Sequence, residues 1–430
     1  MSVAVFEISA YPNFRAQALA WAASFEECCY FDSNAYVDAY SKFESLLAVK
    51  AVTSFTATGN NTFAAVQQFI TRNKGAFIPG YFSYDLKDEI EALRTPWQSP
   101  LDFPLAYFFV PQYLLKFQGT TVHIEGDSCL EIFNAILAFE ETAPMADFKG
   151  SFQPRISKAT YLATFDKFQQ HIQQGDIYEV NLCQEFFAKD VSINPLAVFE
   201  RLNMVSPTPF SSFFKFSNHF ILSASPERFL AKRGMQLISQ PIKGTAKRGK
   251  NAEEDALIKV QLRANPKEIA ENIMIVDLVR NDLTLSALPG TVKADPILEV
   301  HSFQQVHQLI STISCQLNPA IPVVEAIKST FPPGSMTGAP KISAMRLCDR
   351  YEASARGLYA GAIGYFAENG DFDFNVVIRT LLYHAERQYL SFHTGGAITL
   401  NADGEQEYAE CLLKAAGILK ALDTELLIQN

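Results

Sequence analysis

The sequence has no stretch approaching the ~18 to 20 consecutive apolar residues that a membrane-crossing helix needs, and Met1 to Ala10 lacks a basic segment followed by an apolar one. A soluble cytoplasmic protein without a membrane partner is expected. Positive charge is scarce: 36 Lys and Arg face 46 Asp and Glu, a formal net charge of −10. That balance repels a phosphate backbone, so no nucleic-acid partner is expected. Cys28, Cys29, Cys129, Cys183, Cys315, Cys348 and Cys411 are odd in number and never spaced as a zinc knuckle or a redox pair. Reduced, mostly buried thiols follow. None of them stands in a Gly-x-Cys-x-Gly setting, so the chain shows no glutamine-hydrolysing thiol of its own. Internal repeats and low-complexity tracts are also missing.

The 430 residues are 48% hydrophobic and 12% aromatic, enough for one large core or two joined ones. A polar, Pro-containing stretch around Glu140 to Arg155 changes the texture of the chain. Residues 1–150 read as an N-terminal α/β portion of the same compact unit and carry no motif tied to chemistry. Residues 151–430 carry the signal. Tyr161, Phe165, Phe168 and Ile172 recur at helical spacing and stop at Gly175, and Ile177, Tyr178, Val180 and Leu182 then read as a strand. His219–Ser223, Phe229–Lys232 and Met235–Ile242 read as a meander turning at Arg233-Gly234. Asn265 and Pro266 suit the cap and first turn of a long helix. A second helix is expected from Ala339 and Pro340 past Met345, strands over Tyr359–Phe366 and Phe374–Tyr383 joined through Asn369-Gly370, and a last helix from Asp403 to Leu422. Strands in hairpins with helices between groups give an α+β class with a large, mostly antiparallel sheet system.

Glu268 and Glu271 lie three apart on one helix face, and Glu407, Glu410 and Lys414 repeat that geometry on the last helix. By spacing alone each pair reads first as a solvated face; the functional alternative is four carboxylates holding Mg²⁺. Ser335 to Lys341 places small residues and a Pro where a helix begins, either plain helix initiation or an anion site. Thr394-Gly395-Gly396-Ala397 after the strand Tyr389–His393 reads as a tight turn or as backbone that comes close to a ligand. Arg379, inside the apolar run Val376–Leu382, needs an anionic partner, either a ligand or an internal carboxylate. Lys243 reads as a solvent-reaching lysine or as a nucleophilic amine, and the second role requires its pKa to fall. Glu227 either faces the same cavity or pairs with Arg228. His307 by itself reads as a satisfied core or surface histidine.

Taken in order, Gly175-Asp176-Ile177-Tyr178, Ser225-Pro226-Glu227-Arg228-Phe229, Pro241-Ile242-Lys243-Gly244-Thr245, the run Ala270 to Leu283, Thr337-Gly338-Ala339-Pro340-Lys341 and Ile378-Arg379 resemble the chorismate-utilising enzyme family over about residues 155–425. The family includes anthranilate, isochorismate, salicylate and aminodeoxychorismate synthases. The resemblance implies an anthranilate synthase component I-like fold: two stacked, mostly antiparallel sheets flanked by helices in α/β/β/α layers, with chorismate and Mg²⁺ in a cleft. It implies Glu271 and Glu410 as main metal carboxylates, supported by Glu268 and Glu407. Tyr359 and Arg379 would hold the enolpyruvyl carboxylate, and the N–H groups of Gly395, Gly396 and Ala397, with Lys414, the ring carboxylate. Ser335 and Thr337 would line the pocket, with His307 and Glu227 near the departing C4 hydroxyl.

Lys243 selects among the members that the resemblance offers. Anthranilate-forming members carry Ala in Pro-Ile-Ala-Gly-Thr, whereas members that aminate at C4 carry the Pro-Ile-Lys-Gly-Thr found here. An enzyme amine that adds at C2 while C4 loses its hydroxyl lets ammonia attack C4 and blocks the route to anthranilate. The resemblance therefore implies 4-amino-4-deoxychorismate as product, a precursor of p-aminobenzoate and folate, with ammonia from a separate glutamine amidotransferase subunit. Anthranilate formation and a non-catalytic chorismate-binding role are the alternatives. Two departures stand out: Glu179 where amidating members usually have Gln, and Ala397 where the last Gly of Gly-Ala-Gly is usual. Ser206 to Phe210 resembles a segment that lines a tryptophan site in relatives.

Overall fold

The computed structural model describes residues 2–57, 59–140, 148–304 and 306–427. Residues 141–147, within the polar stretch read as a change of texture, lie outside the described residues.

Every ladder between named strands is antiparallel, and nineteen of the described strands form one connected network beside a separate three-stranded sheet. The two stacked sheets expected from the sequence are thus arms of one network. They meet at the long paired strands Ser45–Thr56 and Ala106–Gln118, whose register shifts between Ala51 and Thr53. A bulge of that kind bends and twists a strand, which lets one ribbon belong to both arms. Between the arms lies a core of Cys29, Phe31, Leu46, Tyr81, Phe214 and Ile363. Helices Phe14–Ala23, Pro195–Val205 and Gly404–Leu422 pack outside one arm, and Thr62–Arg72, Pro266–Thr284 and Val323–Thr330 outside the other. The layers are α/β/β/α. Two strands before residue 150 pair directly with later ones: Glu27–Asp32 with Phe210–Phe216, and Ile78–Phe82 with Ala362–Phe366.

Local chemistry accounts for the helices that carry the site. Asn265 has extended backbone angles, its side chain accepts from the N–H groups of Lys267 and Glu268, and Pro266 opens the helix Pro266–Thr284. Asp403 caps Gly404–Leu422 through the N–H of Gln406. Gly175, at φ 84°, ends the helix Lys158–Gln174.

Three expected strands differ from the observed ones. The third meander strand splits at Pro241, with Gln236–Gln240 staying in the large network and Ile242–Lys247 entering the small sheet with Glu299–Ser302 and Val306–Ile310. Tyr359 lies in the turn before the strand Ala362–Phe366. The run through Arg379 is two strands, Phe372–Val376 and Thr380–His384, broken where Arg379 takes φ 51°. Its apolar neighbours concealed a left-handed residue, which interrupts pairing.

Candidate active site

The small sheet delivers Lys243. Its strand, Ile242–Lys247, shifts register between Ile242 and Thr245, and the carbonyl of Lys243 accepts from Asn272 Nδ2 at 3.3 Å. Asn272 is itself fixed by Ser311 Oγ at 2.6 Å. Lys243 Nζ donates to Glu179 Oε1 at 2.6 Å, and the two side chains are 11% and 1% exposed. The amine faces inward, where burial alone would favour the neutral form, but Glu179, and behind it Glu271 and Glu227, hold its pKa above the ordinary lysine value. The depressed pKa that a nucleophilic lysine requires is therefore absent in this arrangement. The second oxygen of Glu179 is buried without a partner.

Glu227 sits between the strands His219–Ser225 and Arg228–Arg233. Its Oε1 accepts from Ser335 Oγ at 2.5 Å, and burial pushes its carboxyl up to about 7 against the pull of Ser335, Lys243, the Ile242 N–H and Arg379. It makes no pair with Arg228, which binds Asp373 at 3.0 Å and Asp38 at 3.1 Å instead. Ser335 belongs to the 3₁₀ turn Gly334–Met336, Thr337 Oγ1 donates to the Gly334 carbonyl, and Gly338–Ala339 pairs with Val180 and Glu179. The helix begins only at Lys341. Ser335 and Thr337 thus lie upstream of its first turn, in a strap fastened to the strand Glu179–Ala188, and the reading of this segment as a helix-terminal anion site does not hold.

Tyr359 is buried, with its ring stacked on His393 at 5.1 Å. Arg379 makes no ion pair and no side-chain hydrogen bond among the described residues; Glu227 is the charge acting on it, and burial lowers its pKa. A guanidinium left this way suits an incoming carboxylate.

Gly395, Gly396 and Ala397 are not a turn but part of the strand Tyr389–Ile398, paired with Cys183, Leu182 and Asn181. Close approach explains the glycines: a Cβ on Gly395 would stand 2.3 Å from the Leu182 carbonyl oxygen, and one on Gly396 2.8 Å from Glu407 Oε2. Successive N–H groups of a strand point to opposite edges, so these three cannot all face one carboxylate. Lys414 Nζ bridges Glu410 Oε1 at 2.9 Å and the Gly395 carbonyl at 2.7 Å.

The helices Pro266–Thr284 and Gly404–Leu422 bring Glu268, Glu271, Glu407 and Glu410 into mutual electrostatic range. Burial raises the pKa of Glu268 and Glu407 and lifts Glu271 to about 7, whereas Lys414 overcomes burial and keeps Glu410 low. Glu271 Oε1 is buried and unpartnered by a hydrogen bond. Lys267 Nζ lies between the helices, 3.9 Å from Glu271 and 3.5 Å from Glu407. Among the described residues no three acidic, imidazole or thiolate groups converge as a ready cation site, and the Lys267 ammonium stands between Glu271 and Glu407. Four oxygen-donating side chains, one of them with a buried oxygen that has no hydrogen-bond partner, are nonetheless the donor chemistry that suits Mg²⁺.

His307 is placed apart. It is fully buried, Nε2 lies 2.9 Å from Asp255 Oδ1 and Nδ1 3.0 Å from Ser302 Oγ. With both ring nitrogens engaged it is a satisfied core histidine. Alternation along Val306–Ile310 puts its neighbour Gln308 on the opposite face, buried with Oε1 unpartnered. Residues that the sequence left without a role include Lys267, Asn272 and Arg356; the one available signal was Glu179, an acidic residue opening an apolar strand. Pro209 and Phe210 line a separate small pocket with Phe31, Phe43, Arg228 and Asp373.

Comparison with known proteins places the fold and the family. An aminodeoxychorismate synthase of Streptomyces griseus is 44% identical over 276 residues, 64% of this chain, and the match spans only 38% of that relative's length. Aminodeoxychorismate synthase component 1 of Escherichia coli (strain K12) is 35% identical over 350 residues, covering 80% of this chain and 76% of the relative. The crystal structure of anthranilate synthase component I from Streptococcus pneumoniae TIGR4 superposes with a TM-score of 0.77 at 25% identity, covering 89% of this chain and 93% of that one. A family model described as chorismate binding enzyme matches residues 26–420, most of the two-armed network and both glutamate-bearing helices. The chain belongs to the chorismate binding enzyme family.

Proposed function

We propose that this protein converts chorismate and ammonia to 4-amino-4-deoxychorismate through an adduct between Lys243 and C2 of the ring. The observation that carries the proposal is the sheltered Lys243–Glu179 pair, facing a buried Glu227 whose pKa of about 7 leaves it partly protonated near neutrality. Arg379, without an ion-pair partner among the described residues, supplies a cation for a substrate carboxylate. Glu179 takes a proton from the Lys243 ammonium, and the neutral amine adds at C2. Both ring double bonds shift, from C1=C2 and C5=C6 to C1=C6 and C4=C5, the C4–O bond breaks, and Glu227 gives its proton to the departing hydroxyl, which leaves as water. Ammonia then attacks C4, both double bonds shift back and the C2–N bond breaks. The proton shed by the attacking nitrogen returns to Glu227, and Lys243 recovers its own from Glu179.

Glu268, Glu271, Glu407 and Glu410 would hold Mg²⁺ once Lys267 moves aside. Bound there, the ion would supply Lewis-acid chemistry toward the ring carboxylate and would draw electron density from the ring. A glutamine amidotransferase subunit is the proposed ammonia source, with the chain acting in the cytoplasm; no helix among the described residues is long and apolar enough to cross a membrane. The relatives' name "component 1" favours a second component.

The test is product identification by mass and ultraviolet spectrum after incubation with chorismate, Mg²⁺ and ammonium, with and without an aminodeoxychorismate lyase. A 4-amino-4-deoxychorismate product supports the proposal. A fluorescent aromatic amine formed without the lyase identifies anthranilate synthesis instead, and unconsumed chorismate leaves only binding. Glutamine that serves the isolated chain as well as ammonium does would rule out the separate subunit.

A further inference from the structure

The mechanism above requires two events to coincide: attack of the Lys243 amine at C2 and proton delivery by Glu227 at C4. The groups come from different parts of the fold. Lys243 is held by Glu179 at the start of the strand Glu179–Ala188, and Glu227 is held by Ser335 in the turn Gly334–Met336. Their relative placement depends on whatever fastens that turn to that strand.

The backbone pairing of Gly338–Ala339 with Val180 and Glu179 does part of this, and one buried side chain ties the turn itself to the strand. Arg356, 3% exposed, donates through Nη1 to the Met336 carbonyl at 2.7 Å and through Nη2 to the Asn181 carbonyl at 2.7 Å. Met336 is the residue after Ser335, and Asn181 lies two residues after Glu179 on the same strand face. Asn181 closes the connection by donating its N–H to the Thr337 carbonyl at 2.9 Å. The guanidinium is aimed by a bidentate pair with Glu352, Nε to Oε2 at 2.9 Å and Nη2 to Oε1 at 2.7 Å, and lies 4.6 Å from the centre of the Tyr84 ring. Glu352 Oε1 also accepts from the Cys183 N–H at 3.2 Å, a second tie to the strand. The Arg356 carbonyl accepts from the N–H of Tyr359, so the turn carrying that ring hangs from the same residue.

We propose that Arg356 is a positioning residue that sets the spacing between the acid pair Glu227–Ser335 and the amine pair Lys243–Glu179. It touches neither pair, and it acts through the Met336 and Asn181 carbonyls. Only a planar, permanently charged fork reaches both carbonyls and the carboxylate together, so lysine replaces it incompletely. The inference rests on the proposed amination.

The test compares wild type with Arg356→Gln, Arg356→Lys and Glu352→Gln, using ammonium, Mg²⁺ and chorismate across pH 5.5 to 9. Misplacement of reacting groups by about 1 Å costs on the order of 10²-fold in rate, so kcat in Arg356→Gln is expected to fall by about that factor, with KM for chorismate changed less than about threefold. The group that titrates on the basic side is Glu227, faced by Ser335, Lys243, the Ile242 N–H and Arg379. Loss of the Ser335 donor moves that limb to higher pH. Partial recovery of kcat and of the limb in Arg356→Lys completes the expected pattern. A merely structural role lowers the active fraction without moving the limb, and that result overturns the proposal. So does a folded variant that retains wild-type kcat. If Arg356→Gln does not fold, the comparison is made with Arg356→Lys and Glu352→Gln. Wild type is assayed first: if it forms no 4-amino-4-deoxychorismate, the proposed function fails and this role with it, whereas an active wild type beside an unaffected variant removes Arg356 alone.

Discussion

Lys243 Nζ and Glu179 Oε1 lie 2.6 Å apart, and neither side chain has more than slight contact with solvent. A buried pair of this kind is neutral or weakly stabilising as a pair, but removing one member strands the other, which typically costs about 3–5 kcal/mol. Lys243→Ala should therefore lower stability as well as abolish amination. Lys243→Met combined with Glu179→Gln should recover most of that stability with no amination. Thermal unfolding beside the product assay checks both, and a double variant no more stable than Lys243→Ala contradicts the pairing argument. Glu179→Gln alone removes the proton acceptor, and a loss of about 10²- to 10⁴-fold in kcat is expected.

Glu227 makes a prediction for pH. Its carboxyl titrates at about 7 in the folded protein against an ordinary value of 4.5. The folded state binds its proton more tightly, so this contribution to stability is fully present below pH 4.5 and is lost as pH rises through 7. Glu227→Gln keeps an acceptor for Ser335 and cannot ionise. The variant should gain stability relative to wild type at pH 8 and show a smaller difference, or none, at pH 4.5, as read by denaturant midpoints. A difference between the two proteins that does not vary with pH contradicts the raised pKa.

Lys267 lies between Glu271 and Glu407, where a divalent cation would compete with it. Lys267→Met should tighten Mg²⁺ binding by about tenfold, equivalent to ~1.4 kcal/mol, whereas Glu271→Gln should weaken it by at least as much. Titration calorimetry with Mg²⁺ alone measures both. Unchanged affinity in the two variants would place the ion elsewhere.

Arg379 combines strained backbone at φ 51° with a guanidinium that has no ion-pair partner among the described residues. Arg379→Gly relieves both, so it should leave stability unchanged or raise it while KM for chorismate rises. Charged hydrogen bonds contribute about 1.5–3 kcal/mol, which corresponds to roughly 10- to 150-fold. A destabilised variant with an ordinary KM would show that the arginine serves the fold.

The sequence was most legible where structure is decided locally. Asn265-Pro266 and Asp403 announce the two glutamate-bearing helices because caps and first-turn residues act within four positions. Gly395 and Gly396 read as turn glycines or as backbone near a ligand, yet they are required by a carbonyl 2.3 Å and a carboxylate 2.8 Å from where a Cβ would stand, partners that only the tertiary fold supplies. His307 reads by itself as a satisfied histidine, but the partner that satisfies it, Asp255, is distant in sequence and is supplied only by the fold. The break at Arg379 lies in a continuously apolar run, where periodicity carries no sign of a left-handed residue. Glu179 was visible only as an oddity, since its meaning depends on Lys243 arriving from another sheet.

The most direct test of the account is to incubate the isolated chain with chorismate and Mg²⁺ without ammonia, quench it, and map the peptides by mass. The account predicts that the peptide containing Lys243 gains the mass of chorismate less one water, and that ammonium added before the quench removes the adduct. A Lys243 peptide of unchanged mass, together with a Lys243→Ala variant that still forms 4-amino-4-deoxychorismate at the wild-type rate, would contradict it.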